Sequence, residues 1–397
     1  MINAVRSRIR SAHRDILLFL SSIAMVGFAE STVNSVFNNF LNDTFRLSSL
    51  QRTFMELPRE LPGFLIIFVS AALYFVRSRR LAVFATLCGT VGLTLMAFFS
   101  VSFHWMFVWL FILSLGQHLF MPLNTSITMD LAREGQTGKR LGQFNAVRNF
   151  ATVLGSFVVL LGFRFFHFNF KIAFVMAALF YLAAAVLIFS MHPGKAHPKA
   201  MHLRFHKEYR LYYWLSILFG TRKQIFLTFA PWVLVTVFHQ PTATLALLLT
   251  IAGVSGIAFQ TTLGKAIDVL GERTVLILEA ILLIVVCSGY ALARSLFSEN
   301  TAFFIASACY VADQLLMSVN MARATYLKKI AVHPDHVTPT LTMSVSLDHI
   351  FSICIALTGG LMWATWGYQT VFLFGGFIAC LNLVSALFIK IPARKPS

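Results

Sequence analysis

Charge is scarce in this sequence: 12% of its 397 residues are Asp, Glu, Lys or Arg, while 58% are hydrophobic. A soluble domain carries roughly 25% charged residues. The shortage excludes an ordinary water-soluble chain and makes lipid the expected solvent. Acids are the scarcer sign, 15 against 32 Lys and Arg, for a formal charge of +17. In an apolar chain that excess is explained first by basic loops retained on the cytoplasmic side, so no nucleic-acid partner is expected. Cysteine is sparse too. Cys88, Cys287, Cys309, Cys354 and Cys380 sit inside apolar runs without a C-x-x-C pair, which indicates neither a disulfide framework nor a zinc site. There is no H-E-x-x-H, no G-x-S-x-G and no phosphate-cradling Gly-rich loop, so no enzyme class is indicated and no cofactor is expected. The basic start "RSRIRSAHR" leads into a run too long for a signal peptide and without a cleavage site; it is expected to stay as the first span.

What remains is long apolar runs. They fall at about 15–40, 61–77, 81–100, 103–129, 141–163, 170–191, 211–238, 243–263, 273–293, 301–325, 339–363 and 368–390. A bilayer crossing takes about 20 apolar residues in helix. Runs without strand-like alternation exclude a barrel, leaving helices as the structure that satisfies its own backbone in lipid. The expectation is an all-α integral membrane protein of twelve transmembrane helices. The polar, basic stretch "MHPGKAHPKAMHLRFHKEYR" divides the chain into 1–191, a linker over 192–210, and 211–397. Its His192, His197, His202 and His206 are read as solvated linker residues. Most Lys and Arg gather in the N-terminal tail, the even-numbered connections and the C-terminal tail, which places both termini in the cytoplasm.

The halves resemble one another. "GQHLFMPLN" (Gly116 to Asn124) matches "ADQLLMSVN" (Ala312 to Asn320), aligning Gln117 with Asp313 and Asn124 with Asn320. Gly63 and Arg80 keep the separation of Gly256 and Arg273. Such weak internal symmetry between two six-span halves is a mark of duplicated transporters.

The connection "GKAIDVLGER" carries Gly264, Asp268, Gly271 and Arg273 in a G-x-x-x-D-x-x-G-x-R pattern. On that loop and the twelve-span architecture, the chain resembles the major facilitator superfamily. The resemblance implies two pseudo-symmetric six-helix bundles and a cytoplasmic gating loop. The first-half counterpart "AALYFVRSRR" is degenerate: it keeps Arg79 and Arg80 but has Ala71, Phe75 and Ser78 in place of the glycine, aspartate and second glycine. Any cytoplasmic latch is therefore expected from the second half. Two other family signatures are missing, a mid-span arginine in span 4, which has Gln117 and His118, and a Gly-Pro pair in span 5, where Gly155 stands alone. The latter argues against a drug/proton antiporter.

Ionisable groups within spans are costly and functional by default. Here they are Glu30, His118, Arg148, Arg222, Lys223, Asp313, Asp348 and His349. The resemblance implies that spans 1, 4, 7 and 10 line a central cavity flanked by 5 and 11, the spans that carry these residues. Polar neighbours follow the helix period: Glu30, Asn34 and Asn38; Ser344, Asp348 and Ser352; Arg148 with Thr152; Asn145 with Asn149. At the inter-half spacing, Glu30 corresponds to Lys223 and Arg148 to Asp348. Arg148 and Asp348 are expected to act as a pair, either coupling substrate and proton or simply holding two helices together. Glu56, Arg59 and Glu60 are read as rim charges or an external gate, Glu279 as a partner of the Asp268 loop, and "HPDH" (His333 to His336) as an ordinary loop.

These residues support a secondary transporter working by alternating access on a small anionic or zwitterionic solute, with protons as coupling partner, acting as a monomer in a plasma membrane of the bacterial inner-membrane type. A transporter-like sensor and a lipid or lysolipid flippase are the alternatives.

Overall fold

The computed structural model describes residues 2–72, 76–133, 136–193, 205–333 and 336–390. Every regular element among them is helical: α1 (Ile2–Phe45), α2 (Ser49–Phe54), α3 (Glu56–Ala72), α4 (Ser78–Phe99), α5 (Phe103–Asp130), α6 (Thr137–Phe165), α7 (Phe170–Phe189), α8 (Arg210–Thr236), α9 (Thr242–Leu296), α10 (Glu299–Leu316), α11 (Asn320–Ile330), α12 (Val337–Trp366) and α13 (Tyr368–Leu387). The centre of the expected linker, with His197 and His202, lies outside the described residues, as do Phe75 and Pro334.

Nine helices among the described residues are long and apolar enough to cross a bilayer, so this is a multi-pass membrane protein. The α4 helix shows how such a helix is built. Phe84, Leu87, Val91 and Phe98 are exposed and recur at helical spacing, forming a stripe that only lipid would solvate. The opposite face buries Leu81, Ala82, Ala85, Leu93 and Met96. Small residues bring its neighbours close: a Cβ on Gly92 would fall 2.7 Å from the Leu113 backbone nitrogen, and one on Gly116 would overlap the Ala85 carbonyl oxygen. Such approach is the main source of helix association where lipid removes the hydrophobic drive.

Two glycines punctuate the chain. The 55 residues of α9 are interrupted at Gly271, whose φ of 78° and ψ of 160° are not helical. Gly367, at φ 87°, ends α12 and starts α13. Both conformations lie in a region essentially reserved for glycine. Caps mark other starts: Ser48 and Gln51 form a capping box on α2, and the Asn169 side chain accepts from the Ile172 backbone N–H at 2.9 Å to start α7.

The chain forms two compact units. One comprises Met1–Phe45, Leu61–Ala200 and Thr242–Gly253; the other comprises Arg46–Glu60, Met201–Pro241 and Val254–Ser397. In the first unit α1 packs on α6 and α7, and α4 on α5 and α7. Its outlying segment is held by Thr250, which donates to Ser156 at 3.0 Å. In the second unit α8 is the hub, packed on α10, α11, α12 and α13, with α2 against α12.

Candidate functional site

In the first unit Glu30 on α1 meets Arg148 on α6 at 2.5 Å. The pair is partly open, with the Arg148 side chain 37% and the Glu30 side chain 15% exposed. Thr152, one turn beyond Arg148, donates its hydroxyl to the Arg148 carbonyl at 2.9 Å. On α5, Gln117 donates to the buried Tyr181 hydroxyl at 3.5 Å. The His118 Nδ1 lies 3.0 Å from both the Ser114 hydroxyl and the Ser114 carbonyl. Asn34 is exposed, Asn124 and Asn149 are half-buried, and the Asn124 side-chain oxygen is buried. Asp15, the one acid in the basic N-terminal stretch, bridges Arg79 at 2.5 Å and His192 at 3.1 Å. It supplies an acid that the degenerate first-half loop lacks.

In the second unit α8 turns two adjacent cations to different neighbours. Lys223 meets Asp348 on α12 at 2.5 Å, with side chains 20% and 19% exposed. Arg222 points into a buried cluster, bonded to Asp313 on α10 and 3.9 Å from Glu279 on α9. Arg323 on α11 binds Glu279 at 2.6 Å. The Phe219 ring lies 5.5 Å from the Arg222 guanidinium and 4.4 Å from that of Arg323. Two guanidiniums thus face two carboxylates with no water-exposed member, the arrangement a buried ion cluster needs to offset its desolvation.

Arg148 and Asp348, expected to act as a pair, belong to different units, and each has an ionic partner within its own. Arg148 bonds Glu30, and Asp348 bonds Lys223. Each finds the opposite charge on the helix packed against it, α1 for α6 and α8 for α12.

Two further readings change. Glu56 and Glu60 are buried, not rim charges: Glu56 binds Arg52 at 2.6 Å and accepts from Gln224 at 2.9 Å, while Glu60 meets His349 at 2.9 Å. Glu279 is not a partner of the Asp268 loop but the centre of the buried cluster. Arg323 was missed because a basic residue near a span end counts as loop charge. At the α9 turn Gly264 has open space around it and Asp268 and Arg273 are exposed; the neighbouring Glu272 is buried and pairs with Lys329 at 2.7 Å. Asn320 is the exposed first residue of α11, after a 3-10 turn over Met317–Val319.

No curated protein sequence matches this chain. Solved structures match in fold. A point mutant of the nucleoside transporter NupG superposes with a TM-score of 0.77 at 13% identity, covering 94% of this chain and 99% of that one. A POT family transporter in complex with 5-aminolevulinic acid gives 0.72 at 12% identity, covering 95% of each chain. A D-xylose-proton symporter gives 0.65 at 18% identity, covering 98% of each. The family model described as Major Facilitator Superfamily matches residues 18–342. With that match spanning most of the sequence and the helical fold agreeing with it, the chain belongs to the major facilitator superfamily.

Proposed function

We propose that this protein is a secondary active transporter that moves a small zwitterionic or anionic solute by alternating access, in exchange for or together with protons. The observation that carries the reading is the pair of half-open ion pairs, Glu30 with Arg148 and Lys223 with Asp348, one in each unit and of opposite polarity. Each offers both signs of charge inside an apolar helix bundle, where an unsolvated charge is costly. A solute with a carboxylate and an ammonium exchanges partners with such a pair at little electrostatic cost. Protonating Glu30 or Asp348 releases Arg148 or Lys223 for the solute's carboxylate, which links proton and substrate binding. Asp313 and His349 are the further candidates for carrying a proton.

The membrane layout proposed is twelve spans in two six-helix bundles with both termini cytoplasmic. Counting α9 as two spans about Gly271, and adding α3 and the charged α8 to the others, gives that number. Asp268 and Arg273 serve as the cytoplasmic gating residues in this reading. The protein acts as a monomer in a bacterial inner membrane.

The test is a thermal-shift comparison with 5-aminolevulinate, uridine and D-xylose, chosen because the three related folds above handle a zwitterion, a nucleoside and a sugar. Ligand binding raises the melting temperature by mass action. Stabilisation by 5-aminolevulinate, and not by the two neutral compounds, supports the reading. Stabilisation by uridine or D-xylose alone contradicts it.

A further inference from the structure

The two half-open pairs share a construction beyond their charges. On α1 Gly27 precedes Glu30 by three residues; on α8 Gly220 precedes Lys223 by three. In each helix the glycine and the charge therefore lie on one face. On the helices packed against them, Arg148 and Asp348 are each followed four residues on by a hydroxyl, Thr152 and Ser352. The polarity is reversed between the units, but the four-residue pattern of glycine, charge, opposite charge and hydroxyl is the same.

Geometry says what the glycines do. A Cβ on Gly27 would lie 2.9 Å from the Arg148 carbonyl oxygen, 3.1 Å from its Cγ and 3.4 Å from the Thr152 hydroxyl. The notch at Gly27 thus seats the backbone and stem of Arg148 and carries its guanidinium to Glu30. At Gly220 the occupant is the carboxylate itself. A Cβ there would overlap Asp348 Oδ1 and lie 2.8 Å from its Cγ, although the Asp348 Cα, at 3.4 Å, would still be at ordinary contact distance. With Oδ1 in the notch, Oδ2 faces Lys223 at 2.5 Å, and the Ser352 hydroxyl donates to Oδ1 at 3.5 Å. The backbones would tolerate alanine at position 220; the carboxylate would not.

We propose that Gly27 and Gly220 are positioning residues: each opens the notch that seats the charged residue of the facing helix and so sets the ion pair its unit presents. Their functional consequence rests on the zwitterion reading above, but the positioning does not. A merely structural role, close helix packing among small residues, makes a different prediction, because packing is blind to where the Asp348 carboxylate points.

The test uses the full chain in detergent with its lysines reductively dimethylated with 13C-formaldehyde, the Lys223 resonance being assigned by its loss in Lys223→Arg. No substrate is needed, so the outcome is independent of the transport reading. In Gly220→Ala the Lys223 resonance is expected to leave its wild-type position and coincide with that of Asp348→Asn, with the melting temperature preserved. A folded Gly220→Ala protein whose Lys223 resonance stays at the wild-type position overturns the proposal. If Gly220→Ala does not fold, the double variant Gly220→Ala, Asp348→Ala decides: recovery of the folded protein shows that the carboxylate was the obstructed group, and failure to recover assigns Gly220 to packing and overturns the proposal.

Discussion

Charges on neighbouring residues of one helix have different fates here, and the difference predicts different mutant behaviour. Arg222 is enclosed with Asp313, Glu279 and Arg323, whereas Lys223 and its partner Asp348 remain partly open. Removing one member of a buried ion cluster leaves an uncompensated charge and costs about 3–5 kcal/mol. Glu279→Gln, which strands Arg323, is therefore expected to lower the melting temperature sharply in detergent. Lys223→Gln is expected to have a much smaller effect there, since a partly exposed charge can still be solvated; an equal loss in both variants would contradict this division. Arg148→Lys keeps the charge but loses the planar fork that binds a carboxylate through two hydrogen bonds. With one charge-assisted hydrogen bond worth about 1.5–3 kcal/mol, its 5-aminolevulinate affinity is expected to fall about tenfold or more, which a binding titration reads. The sequence made Glu30, Arg148, Lys223 and Asp348 conspicuous, because charges stand out in an apolar run. It hid their partners, because which carboxylate a base meets depends on helix packing that linear spacing does not encode. Arg323 and Glu279 were hidden for another reason. Near span ends, loop charge and buried charge look alike until the helix is placed.

Helices carry their own lesson in α9. Its 55 residues read as two separate apolar runs, and the break at Gly271 follows from a glycine in a loop pattern that needs a sharp turn. An L-residue at that φ and ψ costs about 1–3 kcal/mol. Gly271→Ala is accordingly expected to lower the melting temperature by a few degrees, while Gly264→Ala, at a helical position with no neighbour in the way, leaves it unchanged or raised. Equal destabilisation by both would contradict the assignment of the turn to Gly271. The capping box on α2 was legible in principle from Ser48 and Gln51, yet the apolar-run reading passed over α2 altogether. At six residues it is too short for periodicity to register, and its importance lies in Arg52, which reaches Glu56 at the head of α3.

At the scale of the whole molecule, the sequence conveyed the helical membrane architecture and the family, since both rest on long runs and one compact loop motif. The grouping of Arg46–Glu60 with the second unit and Thr242–Gly253 with the first was not legible, because connection lengths say nothing about which unit a connection packs against. The proposed orientation rests on the basic loops. With the proposed layout, a cysteine introduced by Lys207→Cys reacts with a membrane-impermeant maleimide only after the membrane is opened, whereas one introduced by Val101→Cys reacts in sealed cells. Both positions are exposed. Labelling of the first in sealed cells would invert the topology.

In the proposed function the mixed-charge pairs of the two units receive a zwitterion and couple it to protons. The most direct measurement is uptake of radiolabelled 5-aminolevulinate into proteoliposomes under an imposed proton gradient, with the wild type beside Asp348→Asn. Accumulation above equilibrium is expected in the wild type, with collapse on adding a protonophore and no gradient-driven accumulation in Asp348→Asn. Accumulation that ignores the proton gradient, or that proceeds equally in Asp348→Asn, would contradict it.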